Sequence, residues 1–242
     1  MLRAMTRDTA SAEVVGRARR RSVGGRLSFR RRVPQVDADG LPLVDGGDDP
    51  PLFADLVPDG YASVEVEVGP GKGAFLAAAA ATRTGTFFVG IEAAASYATY
   101  AAARLRDDRL PNALLLIDNA VLYLRDRVPP SSLDRLHVYF PDPWPKRRHR
   151  GRRFFGEAAP ELIHRVLKPG GLLLFATDNA AYAGQACRVL GASRWLTRDE
   201  DAEIELQALG EGHAFSPTNF ERKYLAEGRV IRRFAFRRAA GT

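Results

Sequence analysis

Residues 63–73 read SVEVEVGPGKG. Over residues 63–68, valine alternates with serine and glutamate, which is the period-2 pattern of a strand. Gly69, Gly71 and Gly73, with Pro70 among them, stop that strand in a tight loop. The alanine-rich residues 74–81 then favour a helix. A strand, a glycine loop and a helix in this order form the first part of a βαβ unit.

Outward from this stretch the pattern repeats. Residues 87–91 predict a second strand, ended by Glu92, and residues 94–106 a helix. Further strands are expected at 113–117, 133–140, 172–176 and 230–236, and further helices at about 155–167 and 182–190. Residues 168–171, KPGG, read as a turn. Strands alternating with helices imply an α/β fold with a doubly wound, mostly parallel sheet. The short apolar runs suit central strands buried on both faces. One globular domain is expected over residues 61–242. Residues 37–60, rich in Pro, Gly and Asp, read as a lead-in of loops, and residues 1–36 show no sustained apolar periodicity.

The chain has 242 residues, 45% of them hydrophobic and 27% charged, enough to bury a real core. Its one cysteine, Cys187, excludes an internal disulfide framework and a cysteine zinc cluster. With four histidines, no metal site is expected. No apolar stretch reaches the roughly 18 residues of a membrane span. The arginine-rich N-terminus has no continuous apolar segment, so a cytoplasmic protein is expected.

The net charge is +7. Residues 1–36 hold ten arginines against Asp8 and Glu13, a net +8, which leaves −1 for the rest. That segment reads as a flexible basic arm. Residues 146–153, KRRHRGRR, hold six cations and no acid, and residues 222–238 hold seven against Glu227. Such clusters suit a polyanion partner, although an arginine-biased composition would also produce them.

In doubly wound sheets, ligands bind beyond the carboxyl ends of the strands. The loop after the first strand has the spacing GxGxG, not the GxGxxG of dinucleotide binders. Glu67, just before it, would repel a pyrophosphate and suits an amino group or a sulfonium. Glu92 ends the second strand, where an acid accepts from ribose hydroxyls. The pair points to a nucleoside without phosphates, and S-adenosylmethionine fits. A glycine-rich turn beside an unrelated surface acid is the alternative.

Residues 140–149, FPDPWPKRRH, follow the 133–140 strand. Prolines flank Asp142 and another follows Trp144, which stiffens the backbone around one acid and one flat aromatic face. Lys146, Arg147, Arg148, His149, Arg150, Arg152 and Arg153 then offer contacts to an RNA backbone.

The stretch FPDPWPKRRHRGRRFF resembles the signature of the bacterial tRNA (guanine-N7-)-methyltransferases, the TrmB type. Further matches follow the family's order: Glu67-Val68-Gly69 with Gly71 and Gly73, Gly90-Ile91-Glu92, Leu167-Lys168-Pro169-Gly170-Gly171, Ala176-Thr177-Asp178-Asn179 and Thr218-Asn219-Phe220-Glu221. The resemblance covers about residues 61–238 and leaves out the arm. It implies a class I S-adenosylmethionine-dependent methyltransferase, Rossmann-like, with a seven-stranded sheet and an antiparallel last strand.

The resemblance also implies roles. Glu67, Glu92, Asn119 and Asp142, with the loop glycines Gly69, Gly71 and Gly73, would form the cofactor site. Lys146, Asp178, Thr218, Asn219, Phe220 and Glu221 would contact tRNA, and Asp142 would be the catalytic residue. The target would be N7 of the variable-loop guanine at position 46. Many relatives carry Asp where this chain has Asn119, whose amide oxygen can still accept from the adenine amino group. The family's usual lysine in the basic run is Gly151 here, which removes one phosphate contact. Thr218-x-x-Glu221 also has the spacing of a helix capping box. Monomer and homodimer both stay open. A methyltransferase for another RNA, a nicotinamide-dependent oxidoreductase and a non-catalytic RNA-binding relative are the competing readings; the GxGxG spacing and Glu67 oppose the oxidoreductase.

Overall fold

The structure is a computed structural model, and it describes residues 37, 40–144, 148, 153–211 and 218–239. The expected arm lies outside the described residues. So do Lys146, Arg147, His149, Arg150 and Arg152, and the side chains of Asn219 and Phe220.

The eight strands are β1 (Leu43–Asp45), β2 (Ser63–Val68), β3 (Thr86–Glu92), β4 (Ala113–Ile117), β5 (Leu133–Tyr139), β6 (Leu167–Thr177), β7 (Leu196–Arg198) and β8 (Arg232–Arg238). They form one sheet in the order β1-β4-β3-β2-β5-β6-β8-β7. Neighbours pair in parallel except at β8, which runs antiparallel to both β6 and β7. The expected seven strands are therefore corrected to eight. The addition is β1, which lies in the proline- and glycine-rich lead-in and pairs Leu43 with Leu115 and Asp45 with Ile117. The same lead-in holds the one-turn helix α1 (Phe53–Leu56), which buries Phe53 and Leu56. Three residues are too few to show a period, so the neighbour's open edge decides this strand.

Seven further helices follow: α2 (Ala74–Thr82), α3 (Ala95–Asp107), α4 (Ala120–Asp126), α5 (Ala159–Val166), α6 (Ala180–Gly191), α7 (Glu200–Glu211) and α8 (Asn219–Ala226). Alternation along the strands fills two faces. In β3, Phe87, Val89 and Ile91 enter one core with α1, α4, α5 and α6. Phe88, with Leu115 of β4, enters the other, under Phe75, Leu76 and Ala79 of α2 and Ala98, Ala101 and Leu105 of α3. A smaller cluster on Leu172, Leu174 and Ala235 is covered by Ala202 and Leu206 of α7. Alanine lets α2 and α3 approach closely, and a Cβ on Gly73 would come 2.7 Å from that of Ala101.

Among the differences in boundary, two have clear local reasons. Pro160 sits in the first turn of α5, so the helix starts at Ala159 rather than near 155. The KPGG segment stays within β6, and the β5–β6 register shifts there. Among the described residues, no helix is long and apolar enough to cross a membrane.

Candidate active site

β2 pairs with β3 on one side and β5 on the other, so the order of connection reverses at β2. A crevice opens there beyond the carboxyl ends of the strands. A cleft of about 790 Å³ occupies it. Its walls come from the glycine loop, the end of β3, the starts of α3 and α4, the Pro-rich loop after β5, and α8 with its cap.

Glu67 lies in the cleft wall at the end of β2 and is 2% exposed. Burial, and then the charge of Glu92, push its carboxyl up to about 8. Its Oε2 has no hydrogen-bond partner among the described residues. Glu65, two residues earlier, is equally buried and behaves oppositely. Burial alone would raise it, but His137, Arg83 and Arg135 outweigh burial and hold it at about 2. Arg83 Nη1 donates to Glu65 Oε1 at 2.6 Å, and His137 Nε2 lies 2.7 Å from Oε2. His137 Nδ1 lies 2.9 Å from the Tyr139 hydroxyl. Burial lowers the His137 pKa. One tautomer of the neutral ring satisfies this chain: Nε2–H donates to Glu65 and Nδ1 accepts from Tyr139. Tyr139 also lines the cleft, and burial, with the nearby carboxylates Glu67 and Glu65, keeps its hydroxyl protonated.

The glycine loop turns on left-handed backbone at Gly69 (φ 65°), Gly71 (φ 55°) and Gly73 (φ 66°). Glu92 fastens this loop, accepting from the Gly71 N–H at 3.0 Å and the Ala94 N–H at 2.9 Å. Gly69 and Gly71 line the cleft, while Gly73 packs on Ala101 behind it.

Asn119 lines the cleft as the N-cap of α4. Its Oδ1 accepts from Val121 N–H at 3.0 Å and Leu122 N–H at 3.2 Å. The oxygen expected to meet an adenine amino group is thus engaged in capping. The neighbouring Asp118 Oδ2, in the same wall, is buried without a partner among the described residues.

Asp142 is exposed on the rim, and the backbone around it is strained. Phe140 (φ 51°) and Trp144 (φ 38°) both adopt left-handed conformations that a bulky side chain disfavours. Arg153 holds the bend from outside: its Nε and Nη2 donate to the Trp144 carbonyl at 3.2 and 2.9 Å, and Nη1 donates to Gln185. Arg153 is therefore engaged inside the fold, while Arg148 is exposed.

Thr218 lines the cleft and caps α8, its Oγ1 accepting from the Glu221 N–H at 3.0 Å. Glu221 does not complete the reciprocal box. It is buried and pairs with Arg233 of β8. Asp178, after β6, pairs with Arg229 at 2.8 Å. Neither acid is among the lining residues. Lys72, Tyr97, Tyr100, Arg104 and Lys223 line the cleft without having been expected. The spacing of Tyr97, Tyr100 and Arg104 at i, i+3 and i+7 was a readable signal for one helix face.

Four acids line the cleft: Glu67, Glu92, Asp118 and Asp142. Two of them carry a buried oxygen without a partner among the described residues. These acids suit a ligand with a cationic end and several donors. S-adenosylmethionine, with its sulfonium, ammonium, ribose hydroxyls and adenine amino group, fits.

Comparison with known proteins agrees. Residues 61–234 match the model of a family described as "Putative methyltransferase". The tRNA (guanine-N(7)-)-methyltransferase of Rhizobium meliloti (strain 1021) is 33% identical over 82% of this chain and 86% of its own length. The protein of that name from Treponema pallidum (strain Nichols) is 35% identical over 74% and 68%. Two solved structures share the fold at a TM-score of 0.51: the 16S rRNA methyltransferase KamB, 19% identical over 74% of this chain and 89% of that one, and the [4+2]-cyclase SpnF, 17% identical over 78% and 79%. A cyclase on this fold shows that architecture alone does not fix the reaction. The sequence matches are more specific, and by them the chain belongs to the tRNA (guanine-N7-)-methyltransferase family.

Proposed function

We propose that this protein methylates N7 of the guanine at position 46 in the variable loop of tRNA, in the cytoplasm. The observation that carries the reading is one cleft shared by a buried Glu67, without a partner at Oε2 among the described residues, and the strained loop that presents Asp142. S-adenosylmethionine, when bound, supplies a methyl group on an electron-poor sulfonium. Glu67 would hold its cationic end, Glu92 its ribose hydroxyls, and Asp118 its adenine amino group.

Guanine N7 bears an in-plane lone pair and no proton, so no general base is required. The protein's task is alignment and electrostatics. Asp142 would accept from the guanine N1–H and N2–H donors, or offset the positive charge that develops on the ring. The Arg153 contacts to the Trp144 carbonyl would hold the backbone of its loop. Lys146 and the start of α8 would steady the base and its neighbours. Thr218 orders that helix start by capping it.

The test is nucleoside mass spectrometry after incubation with S-adenosylmethionine and an unmodified tRNA transcript. 7-Methylguanosine is expected from the wild type. It should be lost when the transcript lacks the variable-loop guanine, and reduced about a hundredfold or more in Asp142→Ala. Near-normal turnover by that variant would overturn the role of Asp142.

A further inference from the structure

α3 buries Ala98, Ala101, Ala102 and Leu105 and turns another stripe to the cleft. On that stripe Tyr97 is 47% and Tyr100 50% exposed, so neither ring serves the core. Lys72, from the glycine loop, places Nζ 5.3 Å from the centre of the Tyr100 ring. Arg104, one turn further along α3, places its guanidinium 5.9 Å from the same centre. Neither cation has an acidic partner among the described residues. Two cations held near one exposed ring make the local potential positive, which favours an anion beside them.

We infer that Lys72, Tyr100 and Arg104 form a second tRNA-contacting station, which grips a phosphodiester on the β3 side of the cleft. The inference rests on the tRNA reading above. The basic run expected to meet RNA follows β5, on the other side of β2. A guanine seated at Asp142 belongs to a continuous strand, and that strand must leave the cleft in two directions. Lys72 and Arg104 would meet it on the β3 side. The occupant is anionic by charge, which argues against residues 1–36 of this chain, at net +8. Tyr100 orders the two cations, and Tyr97 beside them offers an open ring to a base or ribose.

The carboxylate of S-adenosylmethionine is the other anion within reach, so the experiment reads both ligands. Affinity for a tRNA transcript is measured by filter binding between 50 and 200 mM salt, and cofactor affinity by calorimetry. The proteins are wild type, Arg104→Gln, Tyr100→Leu and Lys72→Gln/Arg104→Gln. Arg104→Gln should weaken tRNA binding roughly three- to tenfold and lower the salt slope by about one, with the cofactor dissociation constant unchanged. The double variant should lose about one further unit of slope, and Tyr100→Leu should fall between. Unchanged tRNA affinity and slope in the double variant overturn the proposal. So does a loss of cofactor affinity with tRNA binding intact, because the station then belongs to the cofactor. A wild type that binds tRNA but forms no 7-methylguanosine overturns the reaction and leaves this test valid. A wild type that binds no tRNA overturns both.

Discussion

Glu65 and Glu67 stand two residues apart on one strand, share a face and are both buried, yet they titrate in opposite directions. Partners make the difference. Glu65 has Arg83 and His137, so its charge is stabilised in the fold. Its pKa is lowered, so its contribution to stability is present above about 4.5 and is lost as pH falls toward 2. Glu67 has no such partner among the described residues, and its pKa is raised. Its contribution is full below about 4.5 and is lost as pH rises through about 8. Ligand-free protein should therefore melt progressively lower between pH 5 and 8, and Glu67→Gln should flatten that decline. Differential scanning calorimetry across that window checks it. The same substitution should cost the cofactor about ten- to a hundredfold in affinity, because a charge-assisted bond to a cationic ligand is lost. For the wild type, binding at pH 7 should release a proton and tighten as pH rises toward 8. Calorimetry in buffers of differing ionisation enthalpy reads that proton directly.

At the scale of elements, the glycine loop and α3 act as one unit. Gly73 joins them, being left-handed and close to Ala101. Gly73→Ala adds backbone strain to a steric clash and should destabilise the protein by about 2–4 kcal/mol, read as a lower midpoint in urea. Gly69→Ala meets no neighbouring atom within 4 Å and should show the strain alone, about 1–2 kcal/mol. Another element worth testing is α8, which is short and stands at the cleft mouth on a single side-chain cap. Thr218→Ala should destabilise that helix by about 1 kcal/mol and raise KM for tRNA more than it changes cofactor affinity. A mutant with normal kinetics would mean that the cap matters only for folding.

At the scale of the whole molecule, charge is distributed unevenly. Glu67, Glu92, Asp118 and Asp142 line the cleft at the switch point of the sheet together with Lys72, Arg104 and Lys223, while residues 1–36 carry a net charge of +8. We expect the arm to add affinity without specificity. Removing residues 1–36 should weaken tRNA binding and reduce its salt slope while leaving the site of methylation unchanged. Equal dissociation constants and slopes for the full and shortened chains would refute a role in binding.

Local pattern carried much of this protein. Six of the eight strands, the glycine loop and the acids Glu67, Glu92 and Asp142 were legible because period, turn chemistry and position after a strand are local properties. β1 and β7, three residues each, were not legible. A strand that short exists only because a neighbour's edge pairs with it. Nor could the pattern SVEVEV separate Glu65 from Glu67, since their difference lies in Arg83 and His137, which only folding brings to one of them. The same holds for Asn119, whose oxygen caps a helix that the sequence did not announce. It holds for Arg153, taken from the basic run to clamp the Asp142 loop, and for Lys72 and Arg104, brought to one ring from two elements. The sequence by itself determined which kinds of chemistry the strand ends carry. The tertiary structure decided which charges are paired and which are left for a ligand, because pairing depends on distances across the fold rather than along the chain.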